Sequence, residues 1–373
     1  MPEPSVPPDS ASSSKGAGAR PRLLSAAAPR IIGSLLIGGG FLWLLTRGGL
    51  PLLPPRDAFA QLPLWSLTSY FVLSIVATLL RTYRWVYLIR PIAPQASALR
   101  VMGVGMIGFA AIFFAPLRSG EIVRPYLLSQ GGEVTFMQAA GTVGAERVID
   151  GLVLTLFTFA GLSLAKSVSP LPNKLGDLPL PVSAVPAAVY GALVVFVSAF
   201  ILMTLFYFAR GLAGRLTRKI VGLVSIRAAE FAAGTLERLA DGLSFLPSSG
   251  NLLRFMRETL ACWFLTIVAQ WVLLRGLSLD ASLAQAATAV GVQGLGSLVP
   301  AGPGMFGAYQ IAGFSALAMF FPLAAVKTAG AMFIFVTYTA QLALNGLQLF
   351  AGFWLLSKAK ARKGLQSADR QSP

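Results

Sequence analysis

The chain has 373 residues, of which 55% are hydrophobic and 12% are charged, and its mean hydropathy is +0.71. Soluble domains carry about 25% charged residues, so this composition excludes that class and indicates an integral membrane protein. The net charge of +16 lies mostly between apolar runs, where basic residues set orientation and meet anionic lipids, which argues against nucleic acid as a partner. Cys262 is the single cysteine, which excludes an intrachain disulfide. The chain has no histidine, the commonest metal ligand and general base, and we expect no metal and no cofactor.

The N-terminal part predicts a disordered cytoplasmic tail followed by a first helix. Residues 1–28 are rich in Pro, Ser, Ala and Gly and bury too little apolar surface to offset the cost of ordering. The apolar run 31–45 has the length of a signal peptide, but no small-x-small cleavage pattern follows it. A retained helix that begins the transmembrane domain, 29–357, is therefore expected.

Eight more apolar runs follow along the chain. They cover residues 64–80, 101–115, 136–165, 184–208, 256–274, 286–299, 305–322 and 328–356. A spanning helix needs about 20 residues, so the runs 101–115 and 286–299 are short for independent spans. These two runs are interpreted as half-helices.

Loop charges set the predicted topology. The segment from Arg210 to Arg257 contains eight basic and three acidic residues, which places it in the cytoplasm by the positive-inside rule. This placement requires the chain to return to its original side of the membrane between about 116 and 135. The same argument makes 286–322 a paired element that opens to the opposite side of the membrane. The prediction is an all-α protein of the inner (plasma) membrane, with six full spans, two broken or re-entrant hairpins and both termini cytoplasmic, including a basic tail at 358–373.

The two hairpins share a short pattern that suggests an inverted repeat. Pro116 and Gly120 are matched by Pro303 and Gly307, each 187 residues later, and a Gly-rich apolar run precedes both pairs. Transporters often place their sites where broken helices of two inverted halves meet near the membrane midplane. Two Pro-Gly turns at helix ends are the alternative.

The segment AERVIDG carries three charges next to a short apolar run. Residues 152–165 are 14 uncharged residues, about 21 Å of helix, which is less than the roughly 30 Å hydrocarbon core. The helix must therefore include the turns with Glu146, Arg147 and Asp150, each of which costs about 2.5 to 3.5 kcal/mol in the core when unpaired. We expect these side chains to line a polar cleft, the alternative being a solvated helix start at the interface.

The segment APLRSGEIVRP offers charges to match them. Its first proline ends the preceding half-helix, and a new short helix is expected to begin at Ser119 or Gly120 with Glu121 in its first turn. Arg118 and Arg124 are then free to pair with the carboxylates of AERVIDG or to bind a phosphate. Near the second hairpin, small and helix-breaking residues at 300–304, including Pro303 and Gly304, are expected to leave backbone amides available to an anion.

Four blocks in order resemble a known family. They are RTYRW (81–85), FAPLRSGEIVRPYLL (114–128), GAERVIDGL (144–152) and PAGPGMFGAYQ (300–310). They look like the signature blocks of the lysylphosphatidylglycerol synthase transmembrane region family, whose domain resembles a lipid translocase. The resemblance adds Arg81, Arg84, Gly307 and Gln310 to the candidate substrate-binding residues, and many members have glutamate where this chain has Gln310. It covers about residues 30–356 and includes no soluble aminoacyl-transferase domain, so an enzyme is not expected.

Three further features are interpreted as architectural. Residues 211–250 predict a cytoplasmic amphipathic segment on the inner leaflet, with a plain basic loop as the alternative. Polar residues recur on one face of the last span and are expected to form interhelical hydrogen bonds, with a substrate path as the less favoured reading; they are Gln341, Asn345 and Gln348. Four tryptophans are expected to anchor the interface or pack; they are Trp85, Trp263, Trp271 and Trp354.

The sequence thus predicts a flippase-like transporter of a membrane lipid or lipid-linked head group. Its partner is expected to be an anionic phospholipid or a lipid-linked group, and a homo-oligomer is compatible with the pattern. Two other classes remain open: an integral membrane enzyme that modifies lipids, in which Glu146 and Asp150 serve acid-base or metal roles, and a non-transporting scaffold in envelope biogenesis.

Overall fold

A computed structural model describes residues 19–55, 58–59, 62–115 and 120–369. Within these ranges the chain is helical and contains no β-strand. Residues 1–18 of the predicted tail lie outside the described residues, and so do Pro116, Arg118 and Ser119 of the first break.

The helices follow in chain order. In the first half they are α1 (Ala19–Arg47), α2 (Leu64–Tyr83), α3 (Trp85–Ile89), α4 (Ala98–Phe114), α5 (Val123–Ser129), α6 (Phe136–Leu164) and α7 (Ala184–Phe208). In the second half they are α8 (Arg210–Gly222), α9 (Ile226–Asp241), α10 (Ser249–Gly276), α11 (Leu283–Gly296), α12 (Ala308–Ala318) and α13 (Ala331–Asp369). A π-helical turn, Val326–Gly330, leads into α13.

Five of the described helical stretches are long and apolar enough to cross a membrane, which makes this a multi-pass membrane protein. They are Leu64–Ile89, Phe136–Leu164, Ala184–Phe208, Ser249–Gly276 and Leu323–Arg362. The apolar parts of α1 and α4 are shorter, Ile31–Arg47 and Ala98–Phe114. The sixth full span therefore depends on α1 and stays a prediction. The inverted repeat also stays a prediction.

The outer surface of the bundle is apolar, as contact with lipid requires. Helix α7 presents Val194, Val195 and Leu202 outward, each more than 60% exposed, and α1 presents Leu36 in the same way. In water such a surface would drive association, whereas lipid tails solvate it. α1 also begins at Ala19, so the helix includes residues 19–28, which composition assigns to the disordered tail.

Helix α6 is central to the bundle. A capping box at its start, in which Thr135 and Gln138 satisfy each other's backbone amides, fixes where it begins. Its second half packs closely on α11, where a side chain at Gly161 would meet the carbonyl of Ala284. Small residues allow this close approach, which is the usual basis of helix packing in membranes.

The first predicted break is present. Helix α4 ends at Phe114, and a single 3₁₀ turn at residues 120–122 leads into the seven-residue α5, which packs on both α4 and α6. The 3₁₀ turn begins at Gly120, contains Glu121 and continues directly into α5, so Glu121 lies in the first helical turn as predicted. Gly120 rests directly on the backbone of Ala111, where a Cβ has no room.

The second break lies between α11 and α12. It contains one 3₁₀ turn, Pro303–Met305, in which Gly304 has a φ of +70°, a conformation that favours glycine. Gly307 precedes α12 with a φ of +93°, and its amide donates to Gln310 Oε1 at 2.7 Å. The side chain of Gln310 therefore caps α12 and satisfies the Gly307 amide. Binding of an anion by the amides at 300–304 stays a prediction.

The segment predicted to be amphipathic forms two helices, α8 and α9, rather than a plain loop. Arg218 on α8 contacts Glu230 and Glu237 on α9, at 3.5 and 2.8 Å. The hydrogen bond that the Arg218 guanidinium donates to the Glu237 carboxylate raises the pKa of Arg218. At the other end of the chain α13 continues to Asp369, so most of the predicted basic tail extends the last helix.

Candidate functional site

A network of buried ion pairs joins α5, α6 and the α2–α3 junction. Glu146 is fully buried and accepts from two arginines: Arg84 Nη2 lies 3.1 Å from Oε1 and Arg124 Nη2 lies 2.7 Å from Oε2. A buried carboxylate of this kind requires such partners, because removal from water costs several kcal/mol per ion. The two arginines come from elements far apart in sequence, so Glu146 ties the short α5 to the bundle.

Asp150 lies one helical turn after Glu146 and completes the network. Its Oδ2 accepts from Arg84 Nη2 at 2.6 Å, and its Oδ1 accepts from Trp263 Nε1 at 3.1 Å. Arg84 Nη1 also donates to Thr259 Oγ1 at 2.9 Å. Helix α10 is thereby connected to the same charges as α5 and α6.

Arg124 is held by aromatic faces as well as by charge. Its guanidinium lies 4.2 Å from the ring centroid of Trp85 and 4.5 Å from that of Phe109. Cation–π contacts of this kind stabilise a desolvated guanidinium. Gly108 makes room for it, since a Cβ there would overlap the Arg124 side chain. Trp85 donates to Thr142 Oγ1 and is fully buried, so this tryptophan packs in the protein interior and does not anchor the interface.

Beside this network lies a cavity of about 550 Å³ inside the bundle. Its walls come from α2, α4, α6, α7, α10, α11, α12, α13 and both breaks. The polar residues that line it are Tyr70, Ser74, Thr78, Arg81, Glu121, Arg147, Asp150, Thr266, Gln270, Gln293, Ser297, Tyr309, Gln341, Asn345 and Gln348. The remaining wall is apolar and includes Phe109, Phe113, Leu154 and Met305. An apolar pocket with a few convergent polar groups is the usual form of a ligand site.

Two arginines face this cavity without an ion pair among the described residues. Arg147 packs on Phe109 at 5.5 Å, and its Nε and Nη2 donate to no described group. Arg81 lies over the Trp263 ring at 4.9 Å, and its Nε has no hydrogen-bond partner there either. The arginines of the buried network differ from these two, because Arg84 pairs with Glu146 and Asp150 and Arg124 pairs with Glu146. Arg81 and Arg147 are therefore the guanidinium groups suited to bind an anion from the cavity.

The structure separates the predicted site residues into three groups. Arg81, Glu121, Arg147 and Asp150 line the cavity. Arg84, Arg124 and Glu146 do not line it and form the buried network behind its wall. Gly120, Pro303, Gly304, Gly307 and Gln310 belong to the two breaks and shape their turns.

Sequence reasoning missed part of the cavity wall. Gln270 lies in the apolar stretch 260–274 and Gln293 in the apolar run 286–299. The isolation of each amide within such a stretch is the signal that would have identified it. Gln341, Asn345 and Gln348 also line the cavity. A substrate path along that face stays a prediction. Trp263 lines it too and donates to Asp150, which packing alone did not predict.

No group of three or more His, Cys, Asp or Glu side chains within the described ranges is placed to hold a metal ion. Cys262 is buried, with its sulfur 3.8 Å from Arg84 Nη1. The described lining residues of the cavity offer hydrogen-bonding groups, charges and apolar surface.

Comparison with known proteins gives a family match and one distant relative. Residues 31–344 match the family described as Lysylphosphatidylglycerol synthase TM region. The chain is similar to "Glycosyltransferase AglD" of Haloferax volcanii, with 26% identity over 278 residues. That similarity covers 69% of this chain and 44% of the relative, so the chain spans less than half of the relative's length. No solved structure gives a significant match.

Proposed function

Since the chain belongs to the lysylphosphatidylglycerol synthase transmembrane region family, we propose that it moves a lipid, or a lipid-linked polar group, between the leaflets of the inner membrane. The observation that carries this proposal is the 550 Å³ cavity, which has arginines at its polar side and apolar walls elsewhere. An amphiphile offers the same combination, with a charged head group and apolar tails.

Arg81 and Arg147 would bind an anionic head group. A phosphate that crosses the hydrocarbon core alone must give up its hydration, and each charge there costs several kcal/mol. Charge-assisted hydrogen bonds from guanidinium groups replace part of that hydration. Both arginines line the cavity, and Arg147 is the stronger candidate because two of its guanidinium nitrogens, Nε and Nη2, have no described acceptor, whereas Arg81 has one such nitrogen.

The buried network would position this site without contacting substrate. Arg84 and Glu146 hold α6 against the α2–α3 junction, and Arg124 holds α5 to α6. Both breaks contribute cavity residues, Glu121 from the first and Met305 from the second. Interrupted helices provide irregular backbone where it lines a cavity, as many transporters do.

A reconstituted flipping assay tests the proposal. Purified protein in vesicles with a fluorescent phosphatidylglycerol, measured with and without an imposed pH gradient, should move the probe faster than protein-free vesicles. Arg147→Gln should lower the initial rate about tenfold, because one charge-assisted hydrogen bond contributes roughly 1.5 kcal/mol.

The matched control is Arg227→Gln, since Arg227 is exposed and far from the cavity lining. Its rate should equal that of the unaltered protein. Equal rates for the unaltered protein and protein-free vesicles in both conditions would contradict transport, and equal loss in both variants would contradict the role of Arg147.

A lipid-modifying membrane enzyme is the second candidate. It is favoured by the relative whose printed name is a glycosyltransferase and by Asp150, a carboxylate on the cavity wall. Mass spectrometry of lipids incubated with the purified protein distinguishes the two functions. A covalently changed lipid that depends on Asp150 would favour the enzyme.

A further inference from the structure

Part of the cavity wall is lined with side-chain amides. Gln270 on α10 and Gln293 on α11 are 6% and 1% exposed, and Gln341, Asn345 and Gln348 follow along α13. They come from three helices and meet in one space beside the arginines. Asn345 Nδ2 donates to the backbone carbonyl of Gln341 at 2.8 Å, which leaves the side-chain oxygen of Asn345 available.

Four buried amide atoms have no hydrogen-bond partner among the described residues. Both the nitrogen and the oxygen of the Gln293 amide are without one, and so are Gln270 Oε1 and Gln348 Oε1. Buried polar groups of proteins are nearly always paired, because an unpaired one costs about 1 to 3 kcal/mol. Several such atoms on side chains that line one cavity therefore indicate a ligand that supplies both donors and acceptors.

The chemistry of an amide narrows the class of ligand. A glutamine side chain offers two donors and one acceptor oxygen at its end, whereas a hydroxyl group both donates and accepts. Neighbouring hydroxyl groups can thus satisfy the oxygen and the nitrogen of one amide together. A phosphate alone offers only acceptors, and a cationic head group would need an unengaged carboxylate. The two carboxylates among the described lining residues, Asp150 and Glu121, are both already engaged.

We propose that this amide group, Gln270, Gln293, Gln341, Asn345 and Gln348, binds the polyhydroxylated, sugar-type head group of a phospholipid or other lipid phosphate. The phosphate lies at Arg81 and Arg147, and the hydroxyl groups contact the amides. The choice of a lipid as ligand rests on the proposed function, and the amide site adds the chemical class of its head group.

Binding of two matched lipids tests the site without requiring transport. The full chain in nanodiscs is titrated calorimetrically with dioctanoyl phosphatidylinositol, which carries a polyol, and with dioctanoyl phosphatidic acid, which does not. Gln293→Leu should weaken binding of the inositol lipid at least tenfold, because two hydrogen bonds at about 1 kcal/mol each are lost. Its affinity for phosphatidic acid should change less than twofold.

Three further variants make the comparison selective. Arg147→Gln should weaken both lipids, since it acts on their shared phosphate. Gln95→Leu is the control, because Gln95 is an exposed residue of the loop before α4, and both affinities should be unchanged. Gln270→Leu repeats the test on a second helix and guards against poor folding of one variant.

The inference is overturned if Gln293→Leu and Gln270→Leu weaken both lipids equally or neither of them. It is also overturned if inositol 1-phosphate, which lacks tails, binds as tightly as the inositol lipid, because the ligand would then be a soluble sugar phosphate. Selective binding with no flipping of phosphatidylinositol or phosphatidylglycerol would refute the proposed transport and leave the amide site standing. Flipping that does not depend on the amides would refute the amide site alone.

Discussion

At the scale of single residues, the ionisable groups of this protein fall into two kinds. Glu146 and its arginine partners are fully buried and ion-paired, whereas Arg147 lines a cavity and forms no ion pair with a described residue. Buried pairs are weak evidence for added stability, but breaking one leaves an uncompensated charge in the interior. The first kind therefore maintains the fold, and the second kind is available to a ligand.

The substitution Glu146→Gln should be strongly destabilising. It keeps the shape of the side chain but leaves Arg84 and Arg124 with one acceptor fewer and an excess of buried positive charge. The expected loss is about 3 to 5 kcal/mol of the free energy of unfolding, measured by denaturation with SDS in mixed micelles.

Glu237→Gln is the matched control for that measurement. Glu237 also pairs with an arginine, Arg218, but both side chains are exposed, and exposed pairs contribute little because water and salt screen them. Its unfolding curve should overlay that of the unaltered protein. Similar curves for Glu146→Gln and Glu237→Gln would show that the Glu146 pairs do not maintain the fold.

At the scale of elements, the packing of α6 on α11 brings opposite cavity walls together. Gly161 of α6 lies against the backbone of α11 near Ala284, where no flexible side chain can move aside. Thr158 of α6 packs in the same way on Gly291 of α11. These contacts fix the distance between Leu154 and Gln293, which line the cavity from the two helices.

Gly161→Ala should therefore destabilise the protein although alanine favours helix. The added methyl group must push against a backbone carbonyl, and overpacking of this kind costs about 1 to 3 kcal/mol in unfolding free energy. Denaturation with SDS in mixed micelles measures this loss of unfolding free energy.

Gly144→Ala serves as the control in the same helix. Gly144 is exposed, and nothing lies within 4 Å of the position that a Cβ would take. Alanine there should be neutral or stabilising by up to about 1 kcal/mol. A loss of stability in Gly144→Ala equal to that in Gly161→Ala would contradict the close packing of α6 on α11.

At the scale of the whole molecule, an apolar exterior surrounds a polar interior. Leu347 on α13 is 63% exposed on the outer surface, while Asn345 two residues earlier lines the cavity. A soluble protein has the opposite arrangement. The cavity therefore offers a polar environment to groups that the surrounding lipid does not solvate.

Reactivity of introduced cysteines should report this arrangement. In a Cys262→Ser background, Asn345→Cys should react with a charged, membrane-impermeant thiol reagent at least tenfold faster than Leu347→Cys. Thiolate is the reactive form, and it is populated in water and not in lipid. The reactivity of the two cysteines is measured as the rate of modification in intact vesicles and in vesicles that are open to the reagent on both sides.

Denatured samples of both variants supply the control, because each thiol should then react at the same rate. Equal rates in the folded protein would contradict a hydrated cavity. Faster reaction of Leu347→Cys would place the outer surface of α13 in water and contradict the orientation of the bundle.

The sequence by itself determined the class of the protein and much of its framework. Apolar runs of spanning length gave the membrane assignment, and the positions of both breaks followed from prolines and glycines next to short runs. The charges of AERVIDG stood out because an ionisable group in a membrane helix requires a partner or a cavity. These conclusions depend on properties of neighbouring residues, which a sequence displays directly.

Only the tertiary structure decided which partner each charge has. Asp150 pairs with Arg84, 66 positions away, and Gln310 caps α12 instead of facing a ligand. The amides of Gln270 and Gln293 meet the arginines because α10 and α11 pack on the bundle that carries them. Periodicity tells which residues share a face of one helix, but the rotation and crossing of helices, set by packing of many side chains, determine which faces meet.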